Sequence, residues 1–459
     1  MAISDDGGKA GRASGAAPGA AAEDGERGRP SLRRSLRSLE TPAYRSWFFS
    51  QVLSASGTMT QGVAASWLLF RLTGNGVDLG LLTACTFAPS LVLGPYAGAL
   101  VDRVDRRKLL ILTQILLLGL AAMLAAIIGS GVVRPWMLFA VSTLTGIVAA
   151  LDSTARQVYV IDLVGTDRVA SAVSLYEVIL SVSRIAGPAL GGALLATVGA
   201  GACCAANAAS YLAPLVVLLL HRPAYRTAVP GAGTGAGPGG AGSGGAGKGR
   251  TLADLRAGLR YARQHRAILV CLGLAAASGM LFSLGVALPV LATRVFHLGG
   301  GGYGLMMSAF GVGALPGALL ASAGSSQPTG RRVGALALVT AAAIVGTALA
   351  PAAWVAFAGL AVVGCMSIWF IAAANTFVQL AAEPGMRGRM MGLWTMALPG
   401  SEPVTGPGTG LVTQYVGPRE GFGLAGLTLA VVAITGWRAL SWGPAAAGQE
   451  PRGGAPAPS

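Results

Sequence analysis

Residues 98–130 read Gly98-Ala-Leu-Val-Asp102-Arg103-Val-Asp105-Arg106-Arg107-Lys108, then Leu109-Leu-Ile-Leu-Thr-Gln-Ile-Leu-Leu-Leu-Gly-Leu-Ala-Ala-Met-Leu-Ala-Ala-Ile-Ile-Gly-Ser130. The second part is long and apolar enough to cross a bilayer core as a helix, which takes about 20 residues. The first part is too charged to enter that layer and reads as a loop at its surface. The same alternation extends outward in both directions. Apolar windows fall at about 46–70, 79–101, 109–130, 135–155, 169–198, 201–220, 267–293, 303–323, 333–350, 352–381, 389–416 and 421–442. The expected fold is an all-α membrane protein of twelve transmembrane helices. Strands are excluded by run length and because backbone groups in lipid must be satisfied within each segment.

Composition agrees. Of 459 residues, 53% are hydrophobic and 11% charged, with a mean hydropathy of +0.63. A soluble domain carries charges at about a quarter of its positions, so a soluble multidomain enzyme is excluded. The net charge of +15 and pI near 10.4 do not point to nucleic acid, because the basic residues sit in tails and loops. Cys85, Cys203, Cys204, Cys271 and Cys365 are scattered through apolar runs with no C-x-x-C pair, which reads as core packing and no metal site.

These patterns divide the chain into residues 1–43, a Gly/Ala/Arg-rich disordered cytoplasmic tail without the apolar region of a signal peptide; 44–220, a six-helix bundle; 221–266, a Gly-rich linker; 267–442, a second six-helix bundle; and 443–459, a cytoplasmic tail. The linker ends in an amphipathic segment. Leu252, Leu255 and Leu259 recur at helical spacing beside Arg256, Arg260 and Arg263, which suits a cytoplasmic lipid surface. With the N-terminus inside, the outer loops hold only Arg71, Arg134, Arg294 and Arg419, and Arg184 lies within a span. The remaining 28 of 33 basic residues are cytoplasmic, which places both termini inside.

The two bundles repeat at one offset of 219 residues. It relates Gly98 to Gly317, Arg168 to Arg387, and Gly187-Pro188-x-x-Gly191 to Gly406-Pro407-x-x-Gly410. Three matches in one register mark an internal duplication, and parallel 6+6 repeats imply a pseudo-twofold axis along the membrane normal with a site between the halves.

The stretch Gly98 to Lys108, a glycine followed four residues on by Asp-Arg and then a basic cluster, resembles the loop signature of the major facilitator superfamily. Its Asp-Arg-x-Asp-Arg-Arg form is similar to the branch of drug, macrolide and enterobactin exporters. Leu151-Asp-Ser-Thr-Ala-Arg-Gln157, Arg184 to Gly192, Asn207-Ala-Ala-Ser-Tyr211 and Arg387-Gly-Arg-Met-Met-Gly392 agree with that branch. The likeness covers about residues 44 to 442. It implies that Gly98, Asp102, Arg103, Arg106 and Arg107 form a latch that holds one access state. Asp102 can pair with basic groups or cap a helix, and the arginines can bind the partner half or anionic headgroups. A plain positive-inside anchor also explains the arginines, but not an aspartate at the end of a span. The second-half equivalent of Asp102 is Ala321, so the latch is asymmetric. Gly187, Pro188 and Gly191 resemble the motif of superfamily antiporters; ordinary small-residue packing is the alternative.

Polar residues within spans are costly unless they face a cavity or a partner. Ser54, Thr58 and Gln61 share one stripe of the first span. Ser142, Thr145, Asp152 and Arg156 share one face of the fourth. Trp369, Thr376 and Gln379, with Asn375 adjacent, mark the tenth. The resemblance implies that these spans line the central cavity, and helix-to-helix hydrogen bonding competes with that reading. Asp152 and Arg156, four apart, can pair. Glu177 and Arg184 lie two turns apart on the fifth span. Glu402 stands alone where Gly400-Ser-Glu-Pro403 interrupts a span, and a carboxylate there can take up and release a proton; pairing with another span or a position near the lipid interface is the alternative. Glu402, Glu177 and Asp152 are the proton-coupling candidates. None of His221, His265 or His297 falls in a span, which argues against a histidine relay.

Gly242-Ser-Gly-Gly-Ala-Gly-Lys248-Gly249 nearly matches a phosphate-binding loop but lacks the required Ser or Thr and a preceding strand. The expectation is therefore a monomeric transporter in the cytoplasmic membrane, with no catalytic residues, metal or cofactor. Its partners would be a small molecule, protons and membrane lipid, without nucleic acid. It would export an amphipathic or lipophilic compound in exchange for protons. A proton symporter or facilitator importing a small metabolite is the alternative on the same fold, and a polytopic scaffold or membrane enzyme the alternative of another class.

Overall fold

The computed structural model describes residues 37–101, 104–165, 169–221, 248–282, 284–323, 328–383 and 385–441. Asp102, Arg103 and most of the linker and both tails lie outside the described residues. Within them the chain is helical: α1 (Pro42–Thr73), α2 (Gly76–Val101), α3 (Arg106–Gly129), α4 (Pro135–Val164), α5 (Val169–Thr197), α6 (Ala200–Leu220), α7 (Lys248–Gln264), α8 (Arg266–Phe282), α9 (Leu284–Arg294), α10 (Gly300–Ala323), α11 (Gly330–Ala348), α12 (Ala353–Ala381), α13 (Arg387–Ala397), α14 (Glu402–Tyr415), α15 (Pro418–Thr435) and α16 (Trp437–Ser441).

Local chemistry sets the ends. Pro42, Pro135 and Pro418 occupy first turns, where a missing N–H costs nothing. Asp105 caps α3 by accepting the Lys108 N–H at 3.1 Å, so the basic loop and the start of the next helix are one unit. Thr329 caps α11 through the Arg332 N–H at 3.3 Å. Gly74 closes α1 in the left-handed region, φ 63°, and returns its N–H to Phe70.

Eight of these helices are long and apolar enough to cross a bilayer. The segment 267–293 is helical over Arg266–Phe282 and Leu284–Arg294, with residue 283 outside the described residues, and the segment 389–416, expected as a single span, is two helices. Around Pro399 and Pro403 the chain makes a 3-10 turn, Pro399–Ser401, before α14 begins. α1 is diluted by Ser, Thr and Gln, and α15 opens on Arg419 and Glu420.

The outside of the bundle is greasy and part of its inside is polar. Leu112, Ile115 and Leu116 on α3 and Leu212, Val216 and Leu219 on α6 are exposed, whereas Gln51, Gln114, Asp152 and Asn207 are buried. A water-soluble protein has the opposite distribution, and this one suits a lipid surround.

Packing is duplicated. In the first group of helices α1 packs on α5 and α6, α2 on α4, and α3 on α4 and α6. In the second, α8 packs on α14 and α15, α10 on α12, and α11 on α12 and α15. Between the groups α2 meets α14 and α5 meets α10. Counting apolar segments along the chain, the second meets the eleventh and the fifth meets the eighth, and exchanging the groups turns one pair into the other. That is the signature of a twofold relation between the repeats.

Candidate functional site

The two groups touch along seams lined by glycine. On the α2–α14 seam, a Cβ added at Gly80 would stand 2.5 Å from the Gly406 carbonyl oxygen and 2.7 Å from Pro407 Cα. On the α5–α10 seam, a Cβ at Gly192 would meet Gly304 Cα at 2.7 Å. Both obstacles are backbone atoms, which cannot swing aside. Of the two Gly-Pro motifs, the first packs within its own group and the second sits in a seam. Gly187 and Gly191 pack on Ser56, Thr60 and Val63 of α1, and Thr60 Oγ1 donates to the Gly187 carbonyl at 2.8 Å. Pro188 leaves the Arg184 carbonyl without its helical donor, and it is against this carbonyl that Gly311 of α10 rests. The repeat motif at Gly406, Pro407 and Gly410 lies against Gly76, Gly80 and Thr83 of α2.

At the end of the bundle that carries the α1–α2 turn, the groups are also hydrogen-bonded. Arg294, the last residue of α9, donates to the Gly74 carbonyl at 2.6 Å and to Gln414 Oε1 of α14 at 3.4 Å, and that oxygen also accepts the Gly76 N–H at 3.0 Å. The guanidinium lies 5.7 Å from the Phe70 ring centre. Just inside this clasp Trp67 of α1 stacks on Tyr303 of α10, centroids 6.2 Å apart. A charged donor on a carbonyl contributes about 1 kcal/mol net at an exposed site. Arg294→Ala is therefore expected to shift the molecule about fivefold away from this closed form. Faster labelling of a thiol placed at the neighbouring Ser66 by a membrane-impermeant maleimide measures that shift.

The loop signature is tied to its own group. Arg106 reaches both carboxylate oxygens of Asp162 at the end of α4, at 3.1 and 3.0 Å. Arg107 donates to the Leu218 and Leu219 carbonyls at the end of α6, at 2.8 and 3.2 Å. These two arginines thus lock three helix ends of the first group together. Asp102 and Arg103 lie outside the described residues, and Gly98 falls in the last two turns of α2.

Of the polar stripes, that of α1 faces α6. Asn207 donates to Gln61 Oε1 at 2.7 Å, Thr58 Oγ1 lies 3.1 Å from the Tyr211 hydroxyl, and Ser54 is buried, its carbonyl accepting from Thr58. Asp152 is held from three sides: Thr113 Oγ1 and Gln114 Nε2 of α3 donate at 2.8 Å each, and Arg156 pairs with it along α4 while also donating to Gln51. Ser142 and Thr145 are half-buried on α4. On α12, Trp369 lies under the Arg332 guanidinium at 5.6 Å, Gln379 donates to Asn375 at 2.5 Å, and Thr376 bonds back to the Ala372 carbonyl at 2.9 Å.

Glu402 opens α14 directly after the 3-10 turn, and the charge acting on it is that of Arg184, from the other group. The Glu177 side chain lies outside the described part of α5. Gln51, Thr113, Gln114, Arg294 and Gln414 were missed by sequence reading. Thr113 and Gln114 are the two polar residues breaking the apolar run 109–118 and so carried a signal; Arg294 and Gln414 carried none.

Residues 34–453 match the family described as transmembrane secretion effector, of the major facilitator type. The chain is a member of the major facilitator superfamily. It is 28% identical over 274 residues to the staphyloferrin A transporter of Staphylococcus aureus, spanning 59% of this chain and 64% of that protein, under two thirds of its length. Its identity to the multidrug efflux pump Tap of Mycolicibacterium fortuitum is 30%, over 36% of this chain and 44% of the pump. To macrolide efflux protein A of Streptococcus pyogenes it is 25%, over 32% and 36%. Two solved structures share the fold: a bacterial homologue of the lysosomal transporter Spinster, inward-facing and occupied (TM-score 0.64, 14% identity, 91% of this chain and 100% of that one), and a bacterial homologue of ferroportin, inward-facing (0.61, 15%, 90% and 100%). The family is one of membrane transporters and not of enzymes, and eight described helices of this chain are long and apolar enough to cross a bilayer.

Proposed function

We propose that this facilitator exports a small amphipathic or lipophilic compound, drug-like, macrolide-like or siderophore-like, in exchange for protons, by alternating access. The halves are residues 44–220 and 267–442. Twelve segments cross the cytoplasmic membrane: α1 to α6, α8 with α9, then α10, α11, α12, the broken pair α13 and α14, and α15. Both termini are cytoplasmic, and the protein works as a monomer.

The observation that carries this reading is the contrast between the seams and the clasp. Glycine-on-backbone seams let two rigid groups rock with few interlocking side chains, while Arg294, Gln414 and the Trp67–Tyr303 stack join them at one end. The basic-residue asymmetry puts that end outside, so the closed clasp belongs to a state shut to the exterior. Efflux pumps and a siderophore transporter among the relatives support export of this substrate class.

Coupling is assigned to Glu402. Protonating its carboxylate removes its attraction to the charge of Arg184 in the other group, which links proton occupancy to the rocking motion. Asp152, satisfied by three donors, is given a structural role instead. The α1 stripe is taken up by α6, and the α12 stripe offers amides, a hydroxyl and an indole rather than clustered charge, which suits an amphipathic ligand.

The test uses inverted membrane vesicles carrying an imposed proton gradient, to which lipophilic antibiotics, dyes and siderophores are added. Collapse of the gradient with the wild type but not with Asp102→Asn is expected. Uptake of the same compounds into right-side-out vesicles along with protons would instead establish an importer.

A further inference from the structure

The helix between the two halves turns sharply into the bundle: the axes of Arg256–Gln264 and Arg266–Leu281 differ by 116°. If α8 runs along the membrane normal, α7 lies within about 26° of the membrane plane, the attitude of an interfacial helix. It sits at the end of the bundle opposite the clasp, where α12 finishes and α13 begins.

One side of α7 is fastened to protein. Tyr261 and Ala262 are buried, and the Tyr261 hydroxyl accepts the Glu383 N–H at 3.2 Å. Gly258 rests against α13, a Cβ there falling 3.3 Å from Leu393, 3.4 Å from Met390 and 3.5 Å from Arg389. The apolar contact side is thus made by Gly258, Tyr261 and Ala262, with Leu259 half-buried; the side chains of Leu252 and Leu255 lie outside the described residues.

The other side is basic. Arg256, Arg260 and Arg263 follow at intervals of four and three residues, form one stripe, and are all exposed. Among the described residues none of the three guanidinium groups has a hydrogen-bond or ion-pair partner. Cations held in a row on a rigid helix, near the plane where apolar bundle surface gives way to water, match the phosphates of a lipid leaflet.

We infer that Arg256, Arg260 and Arg263 form a binding surface for the headgroups of anionic phospholipid, through which the membrane grips α7. Because α7 is packed on α13, the lipid contact holds the first limb of the broken segment that bears Glu402. This inference is independent of transport direction and of coupling.

Binding is read without transport. The purified full-length protein is titrated in detergent with phosphatidylglycerol or phosphatidylcholine, and retained lipids are counted by native mass spectrometry. The wild type should prefer phosphatidylglycerol. The triple variant R256Q/R260Q/R263Q should lose about tenfold or more of that preference, and the triple lysine variant, which keeps the charge, should retain it. Inorganic phosphate at equal concentration should not compete. An unchanged preference in the glutamine variant overturns the inference, as does competition by inorganic phosphate. So does equal loss in the lysine variant when its melting temperature matches the wild type.

Discussion

Glu402→Gln is expected to leave the facilitator in the membrane, still able to exchange substrate across it, but with gradient-driven transport lowered at least tenfold and insensitive to external pH. Glutamine keeps the size and hydrogen-bonding capacity of the side chain and removes both its charge and its proton. The carboxylate begins α14 immediately after a 3-10 turn and experiences the Arg184 charge from the opposite group of helices. With glutamine that attraction is absent in every state, so proton binding no longer discriminates between them, and a ligand without differential affinity shifts no equilibrium. Substrate counterflow at equal pH on both sides separates coupling from binding. Persistence of counterflow with loss of gradient-driven transport is the expected pair of results. A variant whose pH dependence matches the wild type removes Glu402 from the coupling path.

The second large effect is steric. Gly80→Val is expected to abolish transport while each group of helices stays folded. Its first added carbon already falls 2.5 Å from the Gly406 carbonyl oxygen and 2.7 Å from Pro407 Cα, so α2 and α14 must separate before the remaining methyl groups are placed. Overpacking of this kind costs about 1–3 kcal/mol when the surroundings can adjust. Here the obstacles are backbone atoms of a helix from the other half, and the strain falls on the surface along which the proposed cycle moves the halves. Gly119→Val is the control, since a Cβ there meets nothing within 4 Å. Transport assays on both variants, with melting temperatures, check the contrast; equal activity in the two would mean that the seam does not move during the cycle.

Much of the architecture was legible in the chain because lipid is a demanding solvent. A segment that crosses it must be apolar and helical, so run length and charge position alone locate the segments, and the 219-residue offset exposes the duplication. Some local chemistry was equally readable: Asp152 and Arg156 as a pair four residues apart, and Gly400-Ser-Glu-Pro403 as an interruption of an apolar run. These are interactions between neighbours in sequence, and their geometry follows from helical periodicity.

What only the tertiary structure decided are contacts between residues far apart along the chain. Nothing local distinguishes Arg294 from an ordinary loop arginine, yet it joins Gly74 and Gln414, respectively 220 and 120 positions away. The stripe of Ser54, Thr58 and Gln61 looked like cavity lining, and its partners on α6 became visible only when α1 and α6 were packed. Arg106 and Arg107 read as free to reach either the other half or lipid, and packing directs them to Asp162 and to the end of α6. The interior polar groups of a membrane bundle must find partners there because no water is at hand. Which partner each finds is set by how the helices cross, and no stretch of sequence contains that by itself.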